Sequence, residues 1–182
     1  MNIEKSNLFS DVRIFTPNVY RDNRGFFLES YNNAIDEELN VKFYQDNQSM
    51  SSKYVLRGLH YQWDEPMGKL VRVVVGSVLD VIVDLRKDSS TYGMYEKYFL
   101  SGDNFKQLWV PPGFGHAILS LEDNTQFVYK CSSLHNSSCE GCIYPFDESI
   151  NIDWGVDKED ILLSEKDKNA NNFEHYKNNP KF

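Results

Sequence analysis

The stretch Lys69 to Arg86, KLVRVVVGSVLDVIVDLR, alternates too strictly to be a helix. A helix turns about 100° per residue and would scatter Val71, Val73 and Val75 around its circumference, whereas a strand puts them on one face. After Gly76-Ser77 the same rule gathers Leu79, Val81, Val83 and Leu85 on one face, and the β-branched content favours strands. The pattern predicts a hairpin closed by a two-residue, glycine-first turn. The other face of the second strand carries Val78, Asp80, Ile82 and Asp84. Its mixture of apolar and acidic groups predicts one core face and one face that is wet or functional.

Aromatic residues make up 14% of the chain and are interleaved with Val-rich runs, so the remaining segments also read as short strands. Candidates are Arg24 to Tyr31, Val55 to Gln62, Tyr95 to Ser101, Gln107 to Val110, His116 to Leu121 and Gln126 to Ser132. Turn-rich pieces separate them, which predicts a mostly β sandwich or barrel with few short helices. One helix is expected over Asn33 to Leu39, with Asn32 or Asn33 as N-cap and Glu37 and Glu38 facing solvent. A length of 182 residues suits one domain over 1–182. From Lys166 the chain turns polar, and a surface-wrapping or partly frayed tail is expected from about residue 168.

Nineteen Lys and Arg against twenty-seven Asp and Glu give a net charge of −8, which repels polyanions and argues against nucleic-acid binding. An anionic ligand would have to be held by a local cluster of cations. The N-terminal sequence lacks the pattern of a secretory signal and no run is long and apolar enough for a bilayer, so the expectation is a cytoplasmic protein that does not engage membranes. The three cysteines read as reduced thiols; Cys139 and Cys142 form a C-x-x-C pair that lacks the second pair of a structural zinc site. No His-x-His occurs, which makes a metal-dependent barrel site a weak expectation.

Of the four histidines, His60 and His116 have the most suggestive surroundings. His60 follows Arg57 and Gly58 within one strand, and strict alternation would turn Arg57 and His60 to opposite faces unless Gly58 permits a bulge. His116 follows the rigid turn Pro111-Pro112-Gly113, which could aim its ring into a cavity.

A set of motifs then points to a family. Asp22-Asn23-Arg24-Gly25-Phe26-Phe27-Leu28-Glu29, Gln45-Asp46-Asn47-Gln48-Ser49, Leu56-Arg57-Gly58-Leu59-His60-Tyr61-Gln62, Gly68-Lys69-Leu70-Val71-Arg72-Val73, Asp80-Val81-Ile82-Val83-Asp84-Leu85-Arg86, Pro111-Pro112-Gly113-Phe114-Gly115-His116 and Leu163-Ser164-Glu165-Lys166-Asp167 stand in this order along nearly the whole chain. In order and spacing they resemble the dTDP-4-dehydrorhamnose 3,5-epimerases, the RmlC family of the cupin superfamily. The resemblance implies a cupin-type jelly roll, a homodimer, a nucleotide-diphosphate sugar as substrate, no cofactor and no metal. The implied reaction epimerises the carbons flanking a keto group.

Such chemistry needs a base on one face of the sugar, a cation or donor at the enolate oxygen, and an acid on the other face. By resemblance His60 is the base, Asp167 its carboxylate partner, Tyr129 the acid, and Lys69 the cation at the oxygen. Arg24, Arg57 and Lys166 correspond to cations that contact the diphosphate. Glu29, Gln45 and Asn47 correspond to positions around base and ribose, and His116 and His135 to the pocket lining. In family dimers Arg24 and Glu29 come from a strand exchanged with the neighbouring subunit. The sequence departs from the family at Ser133-Leu134-His135-Asn136-Ser137, where relatives carry tyrosine and proline. That leaves open an epimerase acting at C3 alone or on another nucleotide-linked 4-keto sugar, and, in a different class, a cupin that binds sugar without catalysis.

Overall fold

The computed structural model describes Met1–Phe182. Its strands form two antiparallel sheets. The first runs, in spatial order, β1 (Asn2–Lys5), β2 (Arg13–Thr16), β10 (Gln107–Val110), β7 (Lys69–Val75), β12 (Thr125–Cys131) and β5 (Gln45–Ser51). The second runs β13 (Glu140–Cys142), β6 (Leu56–Gln62), β11 (Phe114–Ser120), β8 (Ser77–Asp84) and β9 (Tyr95–Ser101). A separate two-stranded sheet pairs β3 (Val19–Asp22) with β4 (Gly25–Leu28). Three short α-helices, α1 (Asn33–Leu39), α2 (Glu165–Lys168) and α3 (Phe173–Asn178), and two 3₁₀ turns at Ser137–Cys139 and Lys158–Asp160 complete the chain. This is the mostly β sandwich that the alternation predicts.

Three apolar clusters hold the layers together. Val71, Val73, Leu108, Val110 and Phe127 of the first sheet meet Val78, Ile82, Phe114 and Ile118 of the second. On the far side of the second sheet, Leu56, Leu59, Val81, Val83, Leu85 and Leu119 are covered by the C-terminal segment through Ile143, Ile150, Trp154, Phe173 and Tyr176. On the far side of the first, Ile35 of α1 packs on Phe15, Leu70 and Trp109. Asn32 caps α1, its side chain accepting from the amide of Ala34.

One expectation drawn from Lys69 to Arg86 is corrected and a second is narrowed. β7 and β8 do not pair: both edges of β7 are taken by β10 and β12, and both edges of β8 by β11 and β9. Gly76, at φ +78°, turns a corner between sheets, and a Cβ there would press on Thr125. A glycine-serine dipeptide serves a corner as well as a hairpin, and local alternation does not tell them apart. Nor is either face of β8 wet. Asp80 and Asp84 are both 0% exposed. Burial is tolerated because each is paired: both Asp80 oxygens with His116 Nε2, and Asp84 with Arg86, Ser89 and Thr91.

The tail also differs from a frayed segment. Phe173 and Tyr176 are buried, the Tyr176 hydroxyl donates to the Leu85 carbonyl, and the Phe173 amide donates to Asp147 Oδ2 at 2.7 Å. Two aromatic residues in a polar sequence are enough to dock the helix.

The bulge that Gly58 could permit is present. His60 stands opposite His116 while Arg57 stands opposite Ile118, so three steps along β6 match two along β11. Gly58 sits at φ +134°, and a Cβ would run into Ala117 and the His116 carbonyl. The Gly58-Leu59 peptide is cis.

Candidate active site

A cavity of about 470 Å³ opens between the sheets where β6, β7, β11 and β12 converge, and the start of α2 closes one wall. Leu56, Ile118, Phe127, Leu162 and Leu163 supply its apolar lining. Arg57, His60, Lys69, His116, Tyr129 and Asp167 supply its chemistry. The bulge is what brings Arg57 and His60 to the same hollow.

His60 Nε2 lies 2.6 Å from Asp167 Oδ1. Ser164 caps α2 by accepting from the Asp167 amide at 3.1 Å, which fixes that carboxylate at the helix start. Burial opposes ionisation of Asp167, but hydrogen bonds from His60, Ser164 and Cys142 together with the imidazole's charge prevail and hold its carboxyl below the ordinary range. An ionised Asp167 accepts Nε2–H, so the neutral ring presents Nδ1 as its free basic nitrogen. A second pair lies alongside, with His116 Nε2 2.9 Å from Asp80 Oδ2 and 3.0 Å from Oδ1.

Lys69 enters the cavity from the start of β7. Burial lowers its pKa, while Cys131, Asp80 and Glu140 pull it back up. Burial raises the pKa of Tyr129, and the charge of Cys131 adds to that, whereas Asn47 and Arg57 oppose it. The phenol is therefore a protonated donor at neutral pH. A carboxylate-bound imidazole, an ammonium and a phenol thus share one partly dry hollow, a set able to remove a proton from carbon, hold an oxyanion and return a proton.

Arg57 lies at the rim, its guanidinium donating to Ser51 Oγ and the Met50 carbonyl and carrying no carboxylate partner. Gln45 Nε2 donates to Asn47 Oδ1, and Gln45 Oε1 accepts from the His135 amide, so these three residues tie β5 to the loop after β12. Glu140 takes both other candidates, Lys166 at 2.7 Å and the His135 ring at 3.3 Å. Burial opposes ionisation of Glu140, but Lys166 and His135 outweigh it and keep the carboxyl low. Arg24 and Glu29 are not among the residues lining the cavity. Arg24 is exposed and paired with Asp22 on the β3–β4 hairpin, and Glu29 accepts from the Asn32 side chain.

Sequence reasoning left Asp80, Ser164 and Glu140 without roles. Asp80 carried a signal, since an acid at an inward position of a Val-rich strand must have a partner. Ser164 could have been read as the N-cap preceding Glu165-Lys166-Asp167. Glu140 offers no such pattern, because its partners come from α2 and from the loop after β12.

The family model of dTDP-4-dehydrorhamnose 3,5-epimerase matches residues 7–175. A relative from Shigella flexneri named dTDP-4-dehydrorhamnose 3,5-epimerase is 48% identical over 177 residues, covering 95% of this chain and 96% of its own. The crystal structure of an epimerase from Legionella pneumophila in complex with dTDP-4-keto-L-rhamnose superposes with a TM-score of 0.91 at 40% identity, covering 95% of this chain and 93% of that one. A 3'-monoepimerase from Streptomyces bikiniensis in complex with dTDP-quinovose gives a TM-score of 0.89 at 29% identity, covering 96% and 89%.

Proposed function

The chain belongs to the dTDP-4-dehydrorhamnose 3,5-epimerase family, which makes it an isomerase acting on carbohydrates, and from that premise we propose how its own residues carry out the reaction. The substrate is dTDP-4-dehydro-6-deoxy-D-glucose, epimerised at C3 and C5 to dTDP-4-dehydro-L-rhamnose as a step of surface-polysaccharide synthesis. The observation that carries this reading is the convergence of the His60–Asp167 pair, Lys69 and Tyr129 on one cavity.

His60 Nδ1 takes the proton from the carbon beside the ketone. Asp167 holds the ring in the required tautomer and stabilises the imidazolium that forms. The electron pair moves onto the keto oxygen, where the Lys69 ammonium offsets the developing charge. Tyr129 delivers a proton to the opposite face of the carbon, and the stereocentre inverts. His116, held from behind by Asp80, lines the sugar end of the cavity. No step calls on a metal or cofactor.

Arg57 and Lys166 supply short-range positive charge for the diphosphate, overriding a whole-molecule charge of −8. Gln45, Asn47 and His135 line the approach of base and ribose. Arg24 and Glu29 complete the site from a second subunit, in a homodimer formed by exchanging the β3–β4 segment. Tyr20, Phe26 and Phe27, which are 63%, 56% and 67% exposed on that hairpin, support the exchange, since a partner would cover them. Three free thiols suit a reducing cytoplasm. No helix is long and apolar enough to cross a membrane.

A reading as a C3-only epimerase is kept because the monoepimerase from Streptomyces bikiniensis shares this fold closely. The deciding experiment incubates the protein with dTDP-4-dehydro-6-deoxy-D-glucose in D₂O and follows deuterium by NMR. Label at C3 and C5 is the expected result. Label at C3 alone would replace it with the monoepimerase reading, and no label would overturn both.

A further inference from the structure

Cys142 is a reactive side chain beside the proton-transfer set to which the reaction assigns no proton transfer. β13 pairs with β6 so that Cys142 stands opposite His60. Its thiol donates to Asp167 Oδ1 at 3.4 Å, the same oxygen that His60 Nε2 approaches to 2.6 Å. Ligand atoms of His60, Cys142 and Asp167 all lie within 4.8 Å of one another. The other half of the C-x-x-C pair takes no part, because the Cys139 thiol donates to the Asp64 carbonyl at 3.2 Å.

We propose that His60, Cys142 and Asp167 form an inhibitory Zn²⁺ site, drawn from three separate segments, whose occupation switches off the base. An imidazole, a thiolate and a carboxylate are the donor types zinc takes, and three protein ligands with a fourth position open to the cavity match its open coordination. The spacing suits the ion. Ordinary zinc bond lengths at tetrahedral angles separate sulfur from oxygen by about 3.6 Å and nitrogen from oxygen by about 3.4 Å. The first separation is nearly met at 3.4 Å, and the second is reached when the His60–Asp167 hydrogen bond at 2.6 Å opens by about 0.8 Å.

Access is available on two sides: His60 and Asp167 line the catalytic cavity, while Cys142 lines a second hollow of about 340 Å³ against the C-terminal helices. On binding, the thiol proton leaves to solvent, Nε2 gives its lone pair to the metal, and the ring proton moves to Nδ1. One proton is released per ion. Nδ1 is then occupied and accepts nothing from substrate.

The site stands apart from the epimerase reading and only its effect on turnover rests on it, so binding and turnover are measured separately. The probe is Co²⁺, whose tetrahedral thiolate complexes absorb intensely in the near ultraviolet, followed by displacement with Zn²⁺. The expected result is a thiolate band saturating at one equivalent and abolished by Zn²⁺, absent in Cys142→Ser and present in Cys139→Ser. Deuterium exchange into substrate should stop with one equivalent of Zn²⁺ and return with EDTA. Cys142→Ser, whose hydroxyl can still donate to Asp167, should need more than about tenfold higher Zn²⁺ to stop whatever exchange it retains, since a lost ligand costs at least what an outer-shell partner does. Asp167→Asn, which keeps the cysteine, provides a second variant for the metal band should Cys142→Ser fail to fold. No thiolate band, or the same band in Cys142→Ser, would overturn the site even in a protein with no exchange activity.

Discussion

Asp167 is 2% exposed and would be a liability in that position without the donors around it. Its value lies in what it does to His60: an ionised acceptor on Nε2 leaves Nδ1 free to accept a proton, and in the proposed mechanism the two faces of the sugar then meet different groups. Tyr129 is the test of that division of labour. On the proposed mechanism, Tyr129→Phe removes the acid and leaves the base, so solvent deuterium should still enter at the carbon assigned to His60, while net inversion falls by about 10²- to 10⁴-fold. Exchange and inversion falling in step would show that the phenol is needed for proton removal as well, and the assignment of sides would fail. The partners of these groups were unevenly legible in the sequence. Asp167 is 107 residues from His60, and nothing local in the polar sequence around it marks it as a partner; the motif resemblance alone did so. Asp80 was visible as an acid on a Val-rich strand, but its mate His116, 36 residues on, depends on how β8 and β11 register.

Elements turn these residues into a site through one irregularity, the bulge at Gly58. A regular β6 would turn Arg57 away from the hollow that His60 faces, separating the cation at the rim from the base. Gly58→Ala puts a methyl where Ala117 and the His116 carbonyl already are, at a φ that L-residues rarely adopt. Overpacking and the backbone conformation together should cost about 3 kcal/mol, seen as a lower midpoint in urea unfolding, and activity should fall by more than the loss of folded protein explains. A variant of normal stability and activity would mean that the bulge is incidental. Strands were legible because period-two alternation is a property of single segments. Their partners were not, because the Gly76-Ser77 corner and a hairpin turn have the same local chemistry. The C-terminal helix was missed for a related reason: only Phe173 and Tyr176 need to be apolar when the surface they dock on belongs to β6, β8 and β11.

At the scale of the whole molecule, the buried acids set the response to pH. Asp84, Asp147, Asp167 and Glu140 are each opposed by burial yet held below their ordinary pKa by the hydrogen bonds they accept. A carboxyl whose folded pKa is depressed contributes stability that is fully present above its unfolded pKa, and loses it as pH falls through the folded value. Urea midpoints should therefore hold from pH 7 to about 5 and drop steeply below about 4. A midpoint unchanged at pH 3 would mean that these acids contribute nothing. The same scale decides whether one chain is a complete catalyst. Arg24 and Glu29 sit outside the cavity, on and just after a hairpin that exposes its aromatic side chains, and the proposed exchange carries them into a neighbour's site. Two variants, Arg24→Ala and His60→Ala, should each be impaired alone, because each spoils every site. Refolded together at equal amounts, half of the dimers are mixed, and in a mixed dimer both lesions fall in one site while the other is intact. Activity should recover to about one quarter of the unmodified protein's. Were Arg24 to serve its own subunit's cavity, each mixed dimer would carry one lesion per site, and co-refolding would restore nothing.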